Sequence, residues 1–175
     1  MKIERLVLGG GCFWCTEAVF SNVKGVLKVV SGYTGGLRPN PTYENICTGV
    51  SGHAEIIDIE YDADIVSLEN LLEIFFVIHD PTTLNQQGAD RGTQYRSVIY
   101  YSDENEKSII ESLIVKAQSD FNEKIVTEVS EIGNVYPAEA YHQNYYKLNS
   151  SQGYCQVVIS PKLQKFMMKF PELLG

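Results

Sequence analysis

Apolar positions along this chain recur with two different periods, and the switches between them outline the elements. The run Leu6-Val7-Leu8 predicts a short strand that ends at Gly9-Gly10-Gly11. Thr16 to Phe20 holds no breaker and predicts the start of a helix. Val26 to Tyr33 is rich in β-formers and stops at Gly35-Gly36, after which Pro39-Asn40-Pro41 makes a rigid loop. His53 to Tyr61 alternates with a period of two, placing Glu55, Ile57, Ile59 and Tyr61 on one face and Asp58 and Glu60 on the other. Behind Ser67, a good N-cap, Leu68, Leu71, Leu72, Phe75 and Phe76 fall at helical spacing, and Pro81 lies just past the end. Ser97 to Tyr101 predicts a strand. Ser102 then caps a second helix, with Glu104 and Glu106 in its first turn and Ile109, Ile110, Leu113, Ile114 and Ala117 as its core stripe. Ile125 to Ile132 predicts another strand, and Phe166, Met167 and Phe170 have the spacing of a packed C-terminal helix.

Two helices over a mostly antiparallel or mixed sheet give an α+β two-layer sandwich, here expected as a ferredoxin-like core with helices on one face. No repeat, low-complexity tract or linker divides the chain, so residues 1–175 are expected to form a single catalytic domain with 154–175 as a C-terminal segment. Two stretches, Asp80 to Tyr95 and Pro137 to Tyr154, are too long for idle connections, and their aromatic and amide content predicts ordered, site-forming loops.

A chain of 175 residues fills one core. Its 44% hydrophobic and 21% charged content is ordinary for a soluble globular protein. A net charge of -8 without a Lys/Arg cluster argues against nucleic-acid binding, and no apolar run is long enough for a membrane span. Met1 to Arg5 leads into the first strand without an apolar leader, so a cytoplasmic protein is expected; a monomer is expected separately, since the sequence itself says little about oligomerisation. Four cysteines, Cys12, Cys15, Cys47 and Cys155, in a reducing compartment suggest redox or metal chemistry rather than a disulfide framework. Of these, Cys47 is assigned to the core.

The chemistry concentrates at Gly9-Gly10-Gly11-Cys12-Phe13-Trp14-Cys15. The strand, turn and helix around it set Cys12 at a helix N-terminus, where free N–H groups and the dipole favour the thiolate. Phe13 and the single tryptophan, Trp14, give the sulfur an aromatic wall. An isolated cysteine is more often an inert core residue; this combination predicts a nucleophile with an apolar pocket. Glu55 is the second candidate. On a core face it would be dry and neutral at pH 7, able to donate a proton; as a strand-end residue it would reach solvent, and periodicity does not separate the two. Eleven tyrosines include loop residues Tyr43, Tyr95, Tyr136, Tyr141, Tyr145 and Tyr146, possible neutral donors whose convergence the sequence does not show. His79, near a helix C-terminus, is explained by the dipole, and nothing fixes His53 or His142 beside Cys12.

From about Arg5 to Pro161 the chain resembles peptide methionine sulfoxide reductases of the A type. Gly10-Gly11-Cys12-Phe13-Trp14 looks like that family's active-site motif. Asn40-Pro41-Thr42-Tyr43, Gly52-His53-Ala54-Glu55, Asp90-Arg91-Gly92-Thr93-Gln94-Tyr95-Arg96-Ser97, Tyr141-His142-Gln143-Asn144-Tyr145 and Gly153-Tyr154-Cys155 follow in the family's order. The resemblance implies Cys12 as the nucleophile on the sulfoxide sulfur and Phe13 and Trp14 as holders of the substrate methyl group. It implies a neutral Glu55 that polarises the sulfoxide oxygen, with Tyr43 and Tyr95 as further donors and Asp90 as a supporting carboxylate. It further implies the S epimer, free or in oxidised proteins under repair, no bound cofactor or metal, a sulfenic acid on Cys12, and an intramolecular disulfide reduced by thioredoxin.

Cys155 matches the family's resolving position, whereas Cys15 stands where many members carry Gly. Two routes follow: Cys12 to Cys155 directly, or a relay through Cys15. The 5–6 Å Cβ spacing of helical i,i+3 residues favours Cys155 as first partner. Ala140 also departs from the family, where an acidic residue is common, without touching the chemistry. Two rival functions remain: a general thiol–disulfide oxidoreductase using Cys12 and Cys15, and a zinc-stabilised interaction module, for which no second ligand pair follows.

Overall fold

The computed structural model describes residues 1–36, 39–48 and 51–175. A six-stranded mixed sheet forms the frame. Its strands, in spatial order, are β7 (Glu128–Glu131), β6 (Val98–Tyr101), β1 (Ile3–Gly9), β3 (Ala54–Asp62), β2 (Val26–Thr34) and β8 (Tyr136–Pro137). All pairings are antiparallel except β6 with β7. Leu6 lies opposite Ile59 and Leu8 opposite Ile57, so the apolar alternation of two strands is brought into one register.

Those side chains, with Tyr33 and Ile99, meet α1 (Phe13–Phe20), α3 (Leu68–Ile78), α4 (Glu104–Gln118) and α6 (Ser160–Lys169) in one core. The other face carries a smaller cluster of Val7, Ala54, Ile56, Val98 and Tyr100, closed by Ile132 and Val135 from a connection rather than a helix. Helices therefore lie on one face of a two-layer α+β fold. A short α2 (Tyr43–Cys47), a two-stranded ribbon of β4 (Gln86–Gln87) and β5 (Asp90–Arg91), and α5 (Tyr145–Asn149) rise from the loops. Among the described residues no helix is long and apolar enough to cross a membrane.

Several expectations shift. Helix α1 begins at Phe13 rather than Thr16, with Cys12 as its N-cap. Asp103, not Ser102, caps α4: its carboxylate accepts the Glu106 N–H at 2.8 Å, a stronger acceptor than a hydroxyl, while Ser102 donates its N–H to Glu106 Oε1. Of the predicted α4 stripe only Ile110 is fully buried, because this helix packs at the margin of the core. The strand predicted from Ile125 shrinks to β7, since the Val126 N–H bonds Pro81 and the Ile125 N–H bonds the Gln118 side chain. Met167 is exposed between buried Phe166 and Phe170. Cys47 is exposed at the end of short α2 and is no core residue. His79 is buried, its ring nitrogens engaging the Phe75 carbonyl and Ser97 Oγ, and burial lowers its pKa to about 3. A neutral, hydrogen-bonded histidine replaces the dipole-stabilised cation expected there.

Candidate active site

The glycines before Cys12 are demanded by close packing. Gly11 has φ +90, and a Cβ there would lie 2.7 Å from Cγ of Gln87. Gln87 is itself pinned, accepting the Asp80 N–H at 2.7 Å and donating to the Asp80 carbonyl at 2.9 Å. The 80–95 loop is thus held down over the turn that presents Cys12.

Helix α1 is joined to the sheet at its first residue, where the Phe13 N–H donates to Glu55 Oε1 at 3.1 Å. One orphan N–H of the helix start is satisfied by this carboxyl from β3. Glu55 is 1% exposed, on the same face as Ile57 and Ile59, and Ile56 behind it is buried as well. Burial raises its pKa to about 8, opposed by the Phe13 N–H and reinforced by Asp90. It is therefore mostly protonated at pH 7. Oε1 accepts from the backbone, and Oε2, buried without a hydrogen-bond partner among the described residues, remains to carry and donate the proton.

Cys12 and Cys15 sit at the N-cap and third positions of α1, and the Cys15 N–H bonds the Cys12 carbonyl at 3.0 Å. Burial pushes the Cys12 thiol well up, the nearness of Cys15 and of Glu55 adding to it. The neighbouring Cys12 holds the Cys15 thiol below its ordinary range, helped by Lys162 and Tyr154. Burial of Cys12 and the nearness of Glu55 thus oppose the ionisation expected from the helix start.

The phenols of Tyr43 and Tyr95 are pushed up by burial and by facing Glu55, which keeps both as neutral donors. Tyr95 also faces Asp90 and Cys12. Asp90 Oδ2 accepts the Tyr154 hydroxyl at 2.7 Å, and that hydroxyl lies 3.9 Å from the Cys15 sulfur. Trp14 stacks on Tyr145 with centroids 3.7 Å apart and planes 7° apart, and it meets Tyr154 edge-on at 5.9 Å. Its indole N–H donates to His142 Nδ1 at 3.0 Å, so the His142 proton sits on Nε2. Phe13 packs between His142 and Tyr33. Cys155 is fully buried in a π-helical turn, Cys155–Ile159, that packs on α1.

Cys12, Phe13, Trp14, Cys15, Tyr43, Glu55, Asp90, Tyr95 and Cys155 are thus gathered in one region. Several positioning residues escaped the sequence reading. Gln143 accepts the Ser31 N–H and donates to the carbonyls of Ser31 and Ala138, clamping the 137–154 loop to β2. Glu17, buried in α1, accepts from Ser31 Oγ at 3.2 Å, and burial raises its pKa against that bond and the nearby Tyr145 and Asn144 backbone. A carboxylate within the apolar run of α1 was the visible signal for Glu17; His142 and Gln143 lie in the quoted motif Tyr141-His142-Gln143-Asn144-Tyr145, which gave them no positioning role. Among the described residues no three His, Cys, Asp or Glu side chains form a group able to hold a metal ion. A groove of about 920 Å³ between α3, α4 and α6, lined by Phe76, Leu113, Phe121 and Phe170, contains none of the gathered residues, so we place the chemistry at the thiols.

A dry thiol beside a protonated carboxyl, with other thiols behind it, equips a thiol-dependent oxidoreductase to attack an electrophile through its polarised oxygen. Over residues 4–173 the chain matches the family "Peptide methionine sulfoxide reductase", and it belongs to that family. It is 56% identical over 171 residues to a peptide methionine sulfoxide reductase MsrA of Nitratiruptor, covering 98% of each chain. It is 53% identical over 175 residues to that of Polynucleobacter asymbioticus, covering 99% of this chain and 92% of the other. Among solved structures it is similar to reduced Mxr1 from Saccharomyces cerevisiae, with TM-score 0.82 and 32% identity over 88% of this chain and 90% of that one. Methionine sulfoxide reductase A of Corynebacterium diphtheriae gives TM-score 0.77 and 35% identity over 86% and 76%. Mxr1 in complex with Trx2, at TM-score 0.57 and 24% identity over 82% and 85%, bears on the fold alone.

Proposed function

We propose that this protein reduces methionine S-sulfoxide, free or within oxidised proteins, to methionine, with Cys12 as nucleophile. The observation that carries the reading is Glu55, bonded to the Phe13 N–H one residue from Cys12 while Oε2 stays unpartnered in a buried site. The substrate methyl group packs against Phe13 and Trp14, and the sulfoxide oxygen takes a hydrogen bond from Glu55, with Tyr43 and Tyr95 beside it. Drawing charge onto that oxygen makes the sulfur electrophilic. Cys12 then attacks, Glu55 delivers its proton, methionine leaves, and the oxygen remains on Cys12 as a sulfenic acid. Asp90 holds Tyr154, and so the wall beside Trp14, in place.

An intramolecular disulfide involving Cys12, Cys15 and Cys155 follows, and an external dithiol of the thioredoxin class restores the thiols. Mxr1, which this chain resembles at 32% identity, forms a complex with Trx2, and this supports that class of reductant. Every group invoked comes from one chain, so a monomer with a single catalytic domain suffices, residues 154–175 contributing Cys155. Four free cysteines suit a reducing compartment such as the cytoplasm. The rival use as a general thiol–disulfide oxidoreductase is disfavoured by the covering of Cys12 and Cys15, 8% and 2% exposed, beneath aromatic rings.

The test is a reductant-free reaction with each sulfoxide epimer. Methionine from the S epimer alone, with two thiols lost per methionine, is expected. No methionine from either epimer, with efficient reduction of insulin disulfides, refutes the reading.

A further inference from the structure

Phe13 and Trp14, the rings proposed to hold the substrate methyl group, share one aromatic neighbour. We propose that this neighbour, His142, is a positioning residue that sets the size limit of the pocket: by bracing both rings it confines the substituent on the sulfoxide sulfur to a methyl group and discriminates against longer alkyl sulfoxides. This deepens the function proposed above and rests on it.

Three observations converge. First, His142 is the only ring, among the described residues, that meets both, its centroid lying 5.0 Å from Phe13 and 5.6 Å from Trp14. The indole N–H also donates to His142 Nδ1 at 3.0 Å, which fixes the orientation of Trp14 as well as its distance. Tyr43 packs on the same imidazole at 4.6 Å, so one side chain braces both methyl-holding rings and a proposed donor to the sulfoxide oxygen.

Second, the imidazole cannot retreat. It is fully buried, and its chain neighbours are tied down on both sides. The Glu139 carbonyl accepts the His142 N–H at 3.0 Å, while the Glu139 carboxylate takes the Tyr33 hydroxyl at 3.0 Å and the Tyr43 N–H at 3.1 Å. Gln143, next in the chain, is bonded to Ser31 and Ala138. The brace therefore stands on β2 and α2 and not on the 137–154 loop alone.

Third, His142 Nε2 is buried without a hydrogen-bond partner among the described residues. An unpaired buried polar atom costs stability. A phenyl ring would fill the same space without that cost, so what recommends histidine here is the acceptor that Nδ1 offers the indole.

The consequence is selectivity. One added methylene in an apolar pocket is worth about 10–200-fold in kcat/KM. That discrimination holds only while the walls stay in place. Truncation of His142 to Ala leaves a cavity beside both rings, into which they can shift to admit a longer chain.

The experiment compares kcat/KM for the S epimers of methionine sulfoxide and ethionine sulfoxide, which differ by one methylene on sulfur, in wild type, H142A and H142F. Wild type should prefer the methyl compound by about tenfold or more, and H142A by about threefold or less. H142F, which fills the space but offers no acceptor, should lose at least about threefold of the wild-type preference. A role in general stability would lower both activities together and leave their ratio alone. An unchanged ratio in H142A, or in H142F where H142A does not fold, overturns the proposal, as does a wild type that does not distinguish the two substrates. Absence of methionine from wild type instead sinks the reductase reading, and the size limit with it.

Discussion

Replacing Glu55 by Gln should make the protein more stable at alkaline pH while crippling it as a catalyst. Glu55 titrates near 4.5 in an unfolded chain and at about 8 here, so between those values the folded state holds a proton that the unfolded state has released. Stability must therefore fall as pH rises through that window, and above pH 8 the ionised carboxylate is trapped in the dry site. The displacement corresponds to about 5 kcal/mol at its upper limit, reduced in practice by whatever water or relaxation reaches Oε2. Gln keeps the acceptor for the Phe13 N–H and cannot ionise. Urea unfolding of wild type and E55Q at half-unit steps from pH 5 to 9 measures the effect. Glu17 is also raised by burial, so neither slope need vanish; the difference between the proteins carries the test. E55Q should gain on wild type by a few kcal/mol between pH 5 and 9, and lose roughly 10²–10⁴-fold in the methionine-forming step as its proton donor disappears. Parallel stability curves across that range would refute the claim that Glu55 is a neutral acid in a dry pocket.

Other substitutions probe the supports. Q143A removes three hydrogen bonds that clamp the 137–154 loop, and KM should rise about tenfold or more, as expected for about 1.5 kcal/mol of lost positioning; an unchanged KM would show that the loop orders itself. S97A deprives the buried His79 Nε2 of its partner and should cost about 1–3 kcal/mol at pH 7, read by denaturant midpoint. Because the folded pKa of His79 is lowered to about 3, its contribution is complete above 6.5 and is lost as pH falls below that; H79F should flatten this acid limb of the stability curve. G11A forces a side chain into φ +90 and against Gln87, so it should destabilise by about 1–3 kcal/mol and lower methionine formation in step; a neutral result would mean that the 80–95 loop gives way freely.

The sheet was readable wherever alternation met a buried face, as in the Glu55–Tyr61 run, because period two assigns sides without knowledge of partners. Cys12 was readable because glycine, strand and helix cues coincide there. What escaped depends on contacts distant in sequence. The bond from Trp14 to His142 spans 128 positions, and the clamp of Gln143 on Ser31 spans 112, so no local pattern betrays either. The upward push on the Cys12 thiol comes from burial, which spacing does not encode. The assignment of Cys47 to the core failed for a similar reason: α2 is a five-residue surface turn with only Ile46 buried, and nothing in its composition foretold that it lies outside the main layers.

Trp14 is the only tryptophan in the chain, and it is held by three partners drawn from the loop and segment that complete the pocket. One of them, Tyr154, is the covalent neighbour of Cys155. Whatever happens to that sulfur is therefore conveyed, through a single peptide unit, to the indole. The protein carries an intrinsic optical gauge: its tryptophan emission comes from one ring beside the proposed substrate pocket and next to the segment that bears Cys155. A fluorescence trace taken without labels should then follow occupancy and oxidation as separate phases of one signal.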